Sequence, residues 1–575
     1  MLLMNRSKTI DLAIYAALIV AILAPRIPKL DSFVTLDEPS WLSQGANFYY
    51  ALGQREFENT VYEYQPAVTT MWIISFAMLA YFPEYRGFGQ GYLDYEKGRL
   101  DPFMYQHGMD PLLLLHVARL IQVFIVLALF LLLFYLLQRL IPKAAAAFVI
   151  LFASFDPFFL GHTRMLDHEA LVSLFVLVSL AAFVVYLSQD RKFVFLLISG
   201  AAAGFAQLTK SSAIAMLAAI GILLLMQIAR ERQQGVAASF WKNSKIFLGW
   251  FAILAATYFI FWPGMWVAPG KMLYEVYGNA FSYAFQGARL KVTEELDVSS
   301  FDLNNLSGIW EMTKVLIYRI TPLTWLGILF GFSLPFTRDP ELVQPRRQLF
   351  TLLLTTAIAF VVMFGVAQGR NSPHYILSSY LALNVLAGLG WYFMIEGLAN
   401  RFKTMQVQVG YAILVVFLSL QVWSAISFFP YYYTYRNPVL YSAGWYNDYP
   451  QFPYGEGLEI AAEYLAQLPD AKDSTAFVYY PRGCFSYFYP GTTTAFRPYY
   501  IDGEHAEDLL FYINSADYVV VYYANQIQMN KYHPYLNILS QVKPIHEIWM
   551  DGYKYIQIYE ADSFTPEMLE AFENL

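Results

Sequence analysis

Two adjacent carboxylates stand a few residues past the first apolar run, in Leu36-Asp37-Glu38-Pro39-Ser40-Trp41. Their neighbours are apolar and aromatic: Leu36, Trp41, Phe48, Tyr49 and Tyr50. Asp37 opens a helix-like segment, where its side chain can cap backbone N–H groups. A carboxylate in that setting can also act as general base toward a hydroxyl or an amine. The plainer reading is a hydrated acidic loop at a membrane boundary.

A second cluster is Gly161-His162-Thr163-Arg164-Met165-Leu166-Asp167-His168-Glu169, in which five of nine residues are ionisable. Ionisable groups at the end of apolar segments are costly and usually functional, although a polar interhelical turn is the simpler account. The mixture of His and acids can bind a metal. No His-Glu-x-x-His spacing is present, so a site with no metal and no required cofactor is expected. A third set is basic: Arg119, Lys210, Arg370 and His374. Together they can clamp a phosphate by charge and by the forked donors of arginine. Taken singly, each can instead snorkel to lipid headgroups. Neither Gly-x-x-x-x-Gly-Lys-Ser/Thr nor a strand-linked Gly-x-Gly-x-x-Gly occurs, so nucleotide use has no support. A substrate already activated and already in the membrane fits better.

These residues need a scaffold, and composition says which kind. Of 575 residues, 57% are hydrophobic and 14% charged. Soluble domains carry roughly 25% charged residues, so this chain reads as polytopic and membrane-embedded. Its net charge of −7 argues against a nucleic-acid partner. The single cysteine, Cys484, rules out an internal disulfide and a Cys-based metal site. Arg6 and Lys8 before the first apolar run resemble a signal peptide, but Pro25-Arg26-Ile27-Pro28 follows in place of a small-residue cleavage site. An uncleaved first span is expected.

Apolar runs fall at 10–25, 114–138, 144–160, 170–187, 194–209, 212–229, 246–262, 315–336, 349–366, 374–396 and 408–429. The run 67–82 is ambiguous. Basic clusters at Arg6/Lys8, Arg139/Lys143, Arg191/Lys192, 230–245, Arg338/Arg346/Arg347 and Arg401/Lys403 share one side only if 67–82 does not cross. The expectation is eleven spans, with 67–82 lying in the interface. The N-terminus is then cytoplasmic, in a plasma membrane, and the long loops 31–113 and 263–314 lie outside with the tail. The tail is polar and Tyr-rich. A helix over 456–468 and strands over 475–480, 518–523 and 553–559 predict a small α/β domain. Domain boundaries are placed at 1–430 for the membrane module and 431–575 for the extracytoplasmic domain.

The order of these motifs resembles the GT-C membrane glycosyltransferases, in particular the protein mannosyltransferases and the lipid A aminoarabinose transferase (glycosyltransferase families 39 and 83). The matching residues are Asp37-Glu38-Pro39 with Trp41, then Tyr64-Gln65-Pro66 followed by Thr70-Met71-Trp72. Arg164-Met165-Leu166-Asp167, the Gly-rich stretch 200–210 ending in Thr209-Lys210, and Pro373-His374-Tyr375-Ile376-Leu377 complete the series. The resemblance covers roughly residues 1–430, and no single motif in it is highly specific. It implies a GT-C fold of about eleven transmembrane helices, with juxtamembrane helices in the first outer loop. It also implies an inverting enzyme that takes a sugar from a dolichyl or undecaprenyl phosphate and passes it to a protein, lipid or glycan on the outer face. By the same resemblance Asp37 is the base and Glu38 orients it or touches the acceptor. Arg119, Arg164, Lys210, Arg370 and His374 hold the leaving phosphate. Asp167 is a second acid, and His162, Glu63 and Trp41 line the substrate pocket. The sequence departs from the family at Tyr64-Gln65-Pro66, which leaves the roles of Glu63 and Gln65 open. Trp445-Tyr446-Asn447-Asp448-Tyr449 faintly resembles the Trp-Trp-Asp-Tyr-Gly motif of oligosaccharyltransferases, which use a divalent metal. That enzyme class and a flippase for lipid-linked sugar are the rival readings.

Overall fold

The computed structural model describes residues 2–62, 65–94, 99–189, 191–286, 306–336, 340–367, 372–401, 407–445, 453–478, 482–495, 506–522, 537–539 and 541–573. The fold is predominantly helical. Among the described residues, seven helices are long and apolar enough to cross a membrane: Pro111–Leu137, Glu169–Ser188, Ser211–Arg230, Val236–Phe261, Val343–Val366, Pro373–Arg401 and Gln408–Ile426. A bent pair, Ser307–Arg319 and Pro322–Phe336, adds an eighth if it forms one span. Shorter apolar helices cover Ile10–Leu23, Lys143–Ser154 and Phe193–Thr209. These segments correspond one for one to the eleven apolar runs of the sequence. The ambiguous run forms Val68–Tyr81, also a short apolar helix. At 14 residues it is shorter than the roughly 20 a bilayer needs, as are Lys143–Ser154 and Phe193–Thr209, so length does not set it apart.

The chain divides into two compact units. The first comprises Met1–Pro28, Gln44–Tyr92 and Val117–Val439; the second comprises Lys29–Ser43, Leu93–His116 and Leu440–Leu575. The sequence reading placed a single boundary at 430/431. The second compact unit takes in Lys29–Ser43 and Leu93–His116 besides the tail.

In the first unit, helix pairs are held by small residues and buried hydrogen bonds. Gly200 and Gly204, four apart on helix Phe193–Thr209, face helix Val236–Phe261. A Cβ on Gly200 would stand 2.7 Å from Ile253 Cβ, and one on Gly204 would stand 2.6 Å from Thr257 Cβ. Lipid gives no hydrophobic drive for helix association, so close backbone approach and interhelical hydrogen bonds carry it. Trp250 donates its indole N–H to Ser199 Oγ at 2.9 Å, and Ser179 Oγ donates to the Ser199 carbonyl at 2.8 Å. Helix Val68–Tyr81 is tied to this group. Trp72 donates to the Phe261 carbonyl at 2.8 Å, and the Thr69 and Thr209 hydroxyls lie 2.9 Å apart.

In the second unit, five strands form one mixed sheet: β1 (Thr475–Val478), β2 (Thr492–Thr494), β3 (Tyr518–Tyr522), β4 (His546–Met550) and β5 (Tyr553–Glu560), in the order β2-β1-β3-β5-β4. The pairs β1–β2 and β1–β3 are parallel; β3–β5 and β4–β5 are antiparallel. The sequence reading named β1, β3 and β5; it missed β2 and β4, which lie at the two edges of the sheet. Period-two alternation explains the core. Val520 and Tyr522 face helix Leu458–Ala466, while Val519 and Val521 pack with Leu509 and Ile513 of helix Ala506–Asn514. Both faces are covered, so β3 reads as an unbroken apolar run. Each such side chain contributes roughly 1.5–3 kcal/mol on full burial.

Candidate functional site

Each unit holds a cluster of charged groups that includes residues named from the sequence motifs. In the second unit, Thr35-Leu36-Asp37-Glu38 forms the turn that starts helix Glu38–Gln54. The Glu38 carboxylate, 1% exposed, accepts the Thr35 backbone N–H and the Thr35 hydroxyl, both at 2.8 Å. This is the return half of a capping box, in which an acid three residues on satisfies the N–H that precedes the helix. Asp37 uses its carbonyl to receive Ser40 and Trp41 N–H groups at 3.1 Å, and the residue itself is exposed. Trp41 is half-buried in the first turn of that helix. The two neighbouring acids therefore differ: Glu38 is committed to the turn, and Asp37 faces outward from it.

Residues of the tail hold this turn. Leu36 N–H donates to the Tyr454 carbonyl at 3.0 Å. The next residue, Gly455, donates its N–H to the Tyr522 hydroxyl of β3 at 3.0 Å. Arg482 donates to the Pro39 carbonyl at 3.0 Å and to Ser43 Oγ at 2.6 Å, and its Nε lies 3.9 Å from Asp101 Oδ2. Tyr487 donates to Asp101 at 2.8 Å. Burial pushes the Asp101 carboxyl up to about 6 against the opposing pull of Arg482 and Tyr487. Gly483 has φ +72, and a Cβ there would collide with the Pro39 ring. Glycine is the one residue that takes this backbone conformation without steric cost.

In the first unit, Asp156 caps helix Pro157–His162 through the Phe159 N–H at 2.9 Å, with proline at the first helical position. That helix ends on His162, whose Nδ1 lies 3.0 Å from Asp167 Oδ2. The other Asp167 oxygen accepts the Glu169 N–H at 2.8 Å, at the start of helix Glu169–Ser188. Burial would raise the Asp167 carboxyl, but the His162 hydrogen bond and the nearby imidazoles hold it below the ordinary range. His168 is driven down to about 3 by burial and by Lys210, against the pull of Asp167. Glu169 accepts from Lys210 in a buried ion pair, with both side chains under 5% exposed.

Lys210 sits at the break between helix Phe193–Thr209 and the turn Ser211–Ala215. Its ammonium lies 4.6 Å from the Tyr375 ring centre and 5.7 Å from that of Phe364, and these two rings stack at 5.3 Å. Among the described residues Glu169 is its one hydrogen-bond acceptor. An ammonium has three donors, so capacity remains for an anion. Lys210 and Tyr375 line a cavity together with Gln65, Ser211, Phe281 and Phe364. It holds about 730 Å³ of empty space, its open mouth included. The lining is mostly apolar, with the cation among aromatic rings. Gln65, whose role the sequence left open, is part of it.

The other expected phosphate ligands are placed differently. Arg164 donates to the Pro430 carbonyl at 3.1 Å and to the Pro28 carbonyl, and its guanidinium lies 5.3 Å from the Tyr432 ring. Burial first, and then the charge of Arg119, lower it to about 10 against the pull of Tyr432. Arg119 is buried on helix Pro111–Leu137. The His374 ring stands 5.9 Å from that of His162, in the turn Pro373–Ile376. Lys210, Glu169, His168, Asp167, His162 and His374 thus form one chain of contacts. Glu63 and Arg370, named from sequence, lie outside the described residues, as does most of the 445–449 stretch. Donor atoms of Asp167, His168 and Glu169 lie within 4.8 Å of one another, as a metal site requires. A divalent ion there would have to displace the Lys210 ammonium from Glu169.

Sequence reasoning missed Arg482, Asp101 and the pairing of Glu169 with Lys210. Tyr375 stood in a quoted motif, but without a role. The signal for Arg482 was slight: an arginine before a glycine and the single cysteine, in a tail with no readable periodicity there.

The model of the dolichyl-phosphate-mannose-protein mannosyltransferase family matches residues 114–262. Over that segment it bears out the resemblance to GT-C membrane glycosyltransferases read from the motif order. No curated protein matches the chain. Among solved structures, ArnT from Cupriavidus metallidurans bound to undecaprenyl phosphate is similar at 14% identity and a TM-score of 0.47, covering 96% of this chain and 99% of that one. ArnT from the same organism in the apo state is similar at 14% identity and 0.46, covering 98% and 100%. The apo oligosaccharyltransferase of Archaeoglobus fulgidus is similar at 11% identity and 0.42, covering 89% of this chain and 69% of that one.

Proposed function

We propose that this chain is a multi-pass membrane glycosyltransferase that takes a sugar from a polyprenyl phosphate and passes it, with inversion, to an acceptor on the outer face. The observation that carries the reading is the Lys210 cavity. An apolar, aromatic-walled cavity with one ammonium in its wall suits a ligand with an anionic head and a hydrocarbon tail. The family model over 114–262 supports it, because that segment contains Arg119, Arg164, Asp167 and Lys210.

In this reading Asp37 removes the proton from the acceptor nucleophile, whose lone pair forms the new bond to the anomeric carbon. The bond from that carbon to the phosphate oxygen breaks, and its electron pair leaves on the phosphate. Lys210 stabilises the charge that develops there. Glu38 acts by holding the Asp37 turn. No metal is required, since the Lys210 ammonium already supplies positive charge at Glu169. In the same reading the N-terminus is cytoplasmic and the tail lies outside, which the distribution of basic loops supports.

The test is to incubate the purified protein with a panel of polyprenyl-phosphate sugars and candidate protein, lipid and glycan acceptors, with product identified by mass. Absence of transfer from every lipid-linked donor sinks the reading. Asp37→Asn abolishes transfer and leaves donor binding intact; full activity in that variant removes Asp37 as base. Activity persists in excess chelator, and its loss with recovery on a divalent cation would favour the metal-dependent alternative. Labelling of single introduced cysteines from each side of sealed vesicles checks the orientation.

A further inference from the structure

Arg482, in the tail, grips the turn that follows Asp37. The Arg482 guanidinium donates to the Pro39 carbonyl at 3.0 Å, to Ser43 Oγ at 2.6 Å and to Ser40 Oγ at 3.4 Å. These three acceptors lie in the six residues that follow Asp37. Ser43 Oγ also donates to the Pro39 carbonyl at 3.0 Å, so the arginine and the first helical turn share one network. On its other side Arg482 stands 3.9 Å from Asp101, which Tyr487 holds from the same tail segment. Gly483 lets the chain turn directly beneath the Pro39 ring. A second tie joins Leu36 N–H to the Tyr454 carbonyl, on the other side of Asp37 in sequence. The Asp37 peptide is thus fastened before and after by residues more than 400 positions away, and both ties lie within one compact unit.

We infer that Arg482 is a positioning residue: it sets the direction of the Asp37 carboxylate by fixing the turn that bears it, and the C-terminal domain is part of the base's scaffold. This rests on the reading of Asp37 as the base. The forked guanidinium suits the task because it engages a carbonyl and a hydroxyl at fixed angles, which a lysine ammonium does not. Misplacement of a reacting group by about 1 Å costs on the order of 100-fold in rate.

The test uses the full-length protein in nanodiscs, with dolichyl-phosphate and undecaprenyl-phosphate sugars as donors and amide hydrogen exchange as a readout independent of turnover. Arg482→Ala lowers kcat about 100-fold. Its donor Kd stays within about threefold of the parent, because the donor cation lies in the other unit. Amide exchange in residues 34–43 accelerates, while β3 and β5 keep their protection. Arg482→Lys recovers part of the lost kcat. An unchanged kcat in Arg482→Ala overturns the inference. So does exchange that rises equally through β3 and β5, which would make Arg482 a brace for the domain at large. If Arg482→Ala does not fold, Ser43→Ala removes a single acceptor and lowers kcat about fivefold, the value of one hydrogen bond; no change there is equally fatal. An inactive Asp37→Asn beside a fully active Arg482→Ala sinks the positioning role alone. An active Asp37→Asn sinks the base reading itself.

Discussion

The two charged clusters solve the same problem by different means. In the first unit, Lys210 pairs with Glu169 and His162 with Asp167, side chain to side chain, at helix ends and a helix break. In the second, Asp37 and Glu38 are held by a backbone turn, and the tail secures that turn through carbonyls and hydroxyls. The first arrangement draws its strength from paired groups, so deleting Lys210 takes the opposite charge away from a buried carboxylate. The second stores it in geometry, so deletions there alter direction before they alter stability. A cation meant to meet an anion benefits from a site that excludes water. A base meant to meet a proton must keep an exposed carboxylate, and rigidity then has to come from its neighbours.

The strongest way to break this contrast is Lys210→Met. It leaves Glu169 buried without its partner, which costs about 3–5 kcal/mol. It also weakens donor binding by about 1.5–3 kcal/mol, or roughly 10- to 150-fold in Kd. The double variant Lys210→Met/Glu169→Gln separates the two effects in a melting and donor-binding assay. Thermal stability returns and donor binding stays weak. Recovery of both would assign Lys210 to the fold alone.

Next in size is Gly483→Ala. The left-handed backbone costs an alanine about 1–2 kcal/mol, and the collision with Pro39 adds to that. Thermal denaturation should show a lower melting temperature, with donor binding unchanged. Glu38 offers a finer cut. Gln can close a capping box as Glu does. Glu38→Gln should therefore keep most of the transfer rate, whereas Glu38→Ala loses about 1 kcal/mol of stability and much of the rate. A fully inactive Glu38→Gln would give Glu38 a direct part in the chemistry.

The smallest effect concerns pH. The Asp101 carboxyl is raised to about 6 in the folded protein, from an ordinary value of 3.8. A raised carboxylate means that the folded state holds its proton longer than the unfolded state. Stability contributed by this group therefore falls as pH rises from about 4 to about 6. Asp101→Asn flattens that slope, measured as melting temperature against pH. A slope that persists in the variant assigns it to another group.

Much of the architecture was legible in the chain. Apolar runs of near-bilayer length reveal themselves, because every spanning segment must satisfy its own backbone and face lipid. The sequence reading looked to Asp37 as the helix cap, whereas Glu38 closes the turn onto Thr35. Asp167 and His162 lie five residues apart at two helix ends, so their pairing was within reach of the Arg164–Glu169 cluster. The three apolar, well-buried tail strands were found, while the edge strands β2 and β4 are only partly buried and carry polar residues that blur the signal.

What tertiary structure alone decided is the set of partners distant in sequence. Lys210 and Glu169 are 41 residues apart, and nothing local marks them as a pair. Arg482 and Ser43 are 439 apart, in segments that sequence reading assigned to different domains. Hydrophobic periodicity records which face of an element is buried, but not against what. The chain by itself determined how many apolar helices it has, and that two acids stand beside the first. Only folding decided that Asp37 stays exposed beside a buried Glu38, and that Arg482 reaches the Pro39 carbonyl and the Ser43 hydroxyl that follow them, because distant hydrogen-bond partners are chosen by proximity in space.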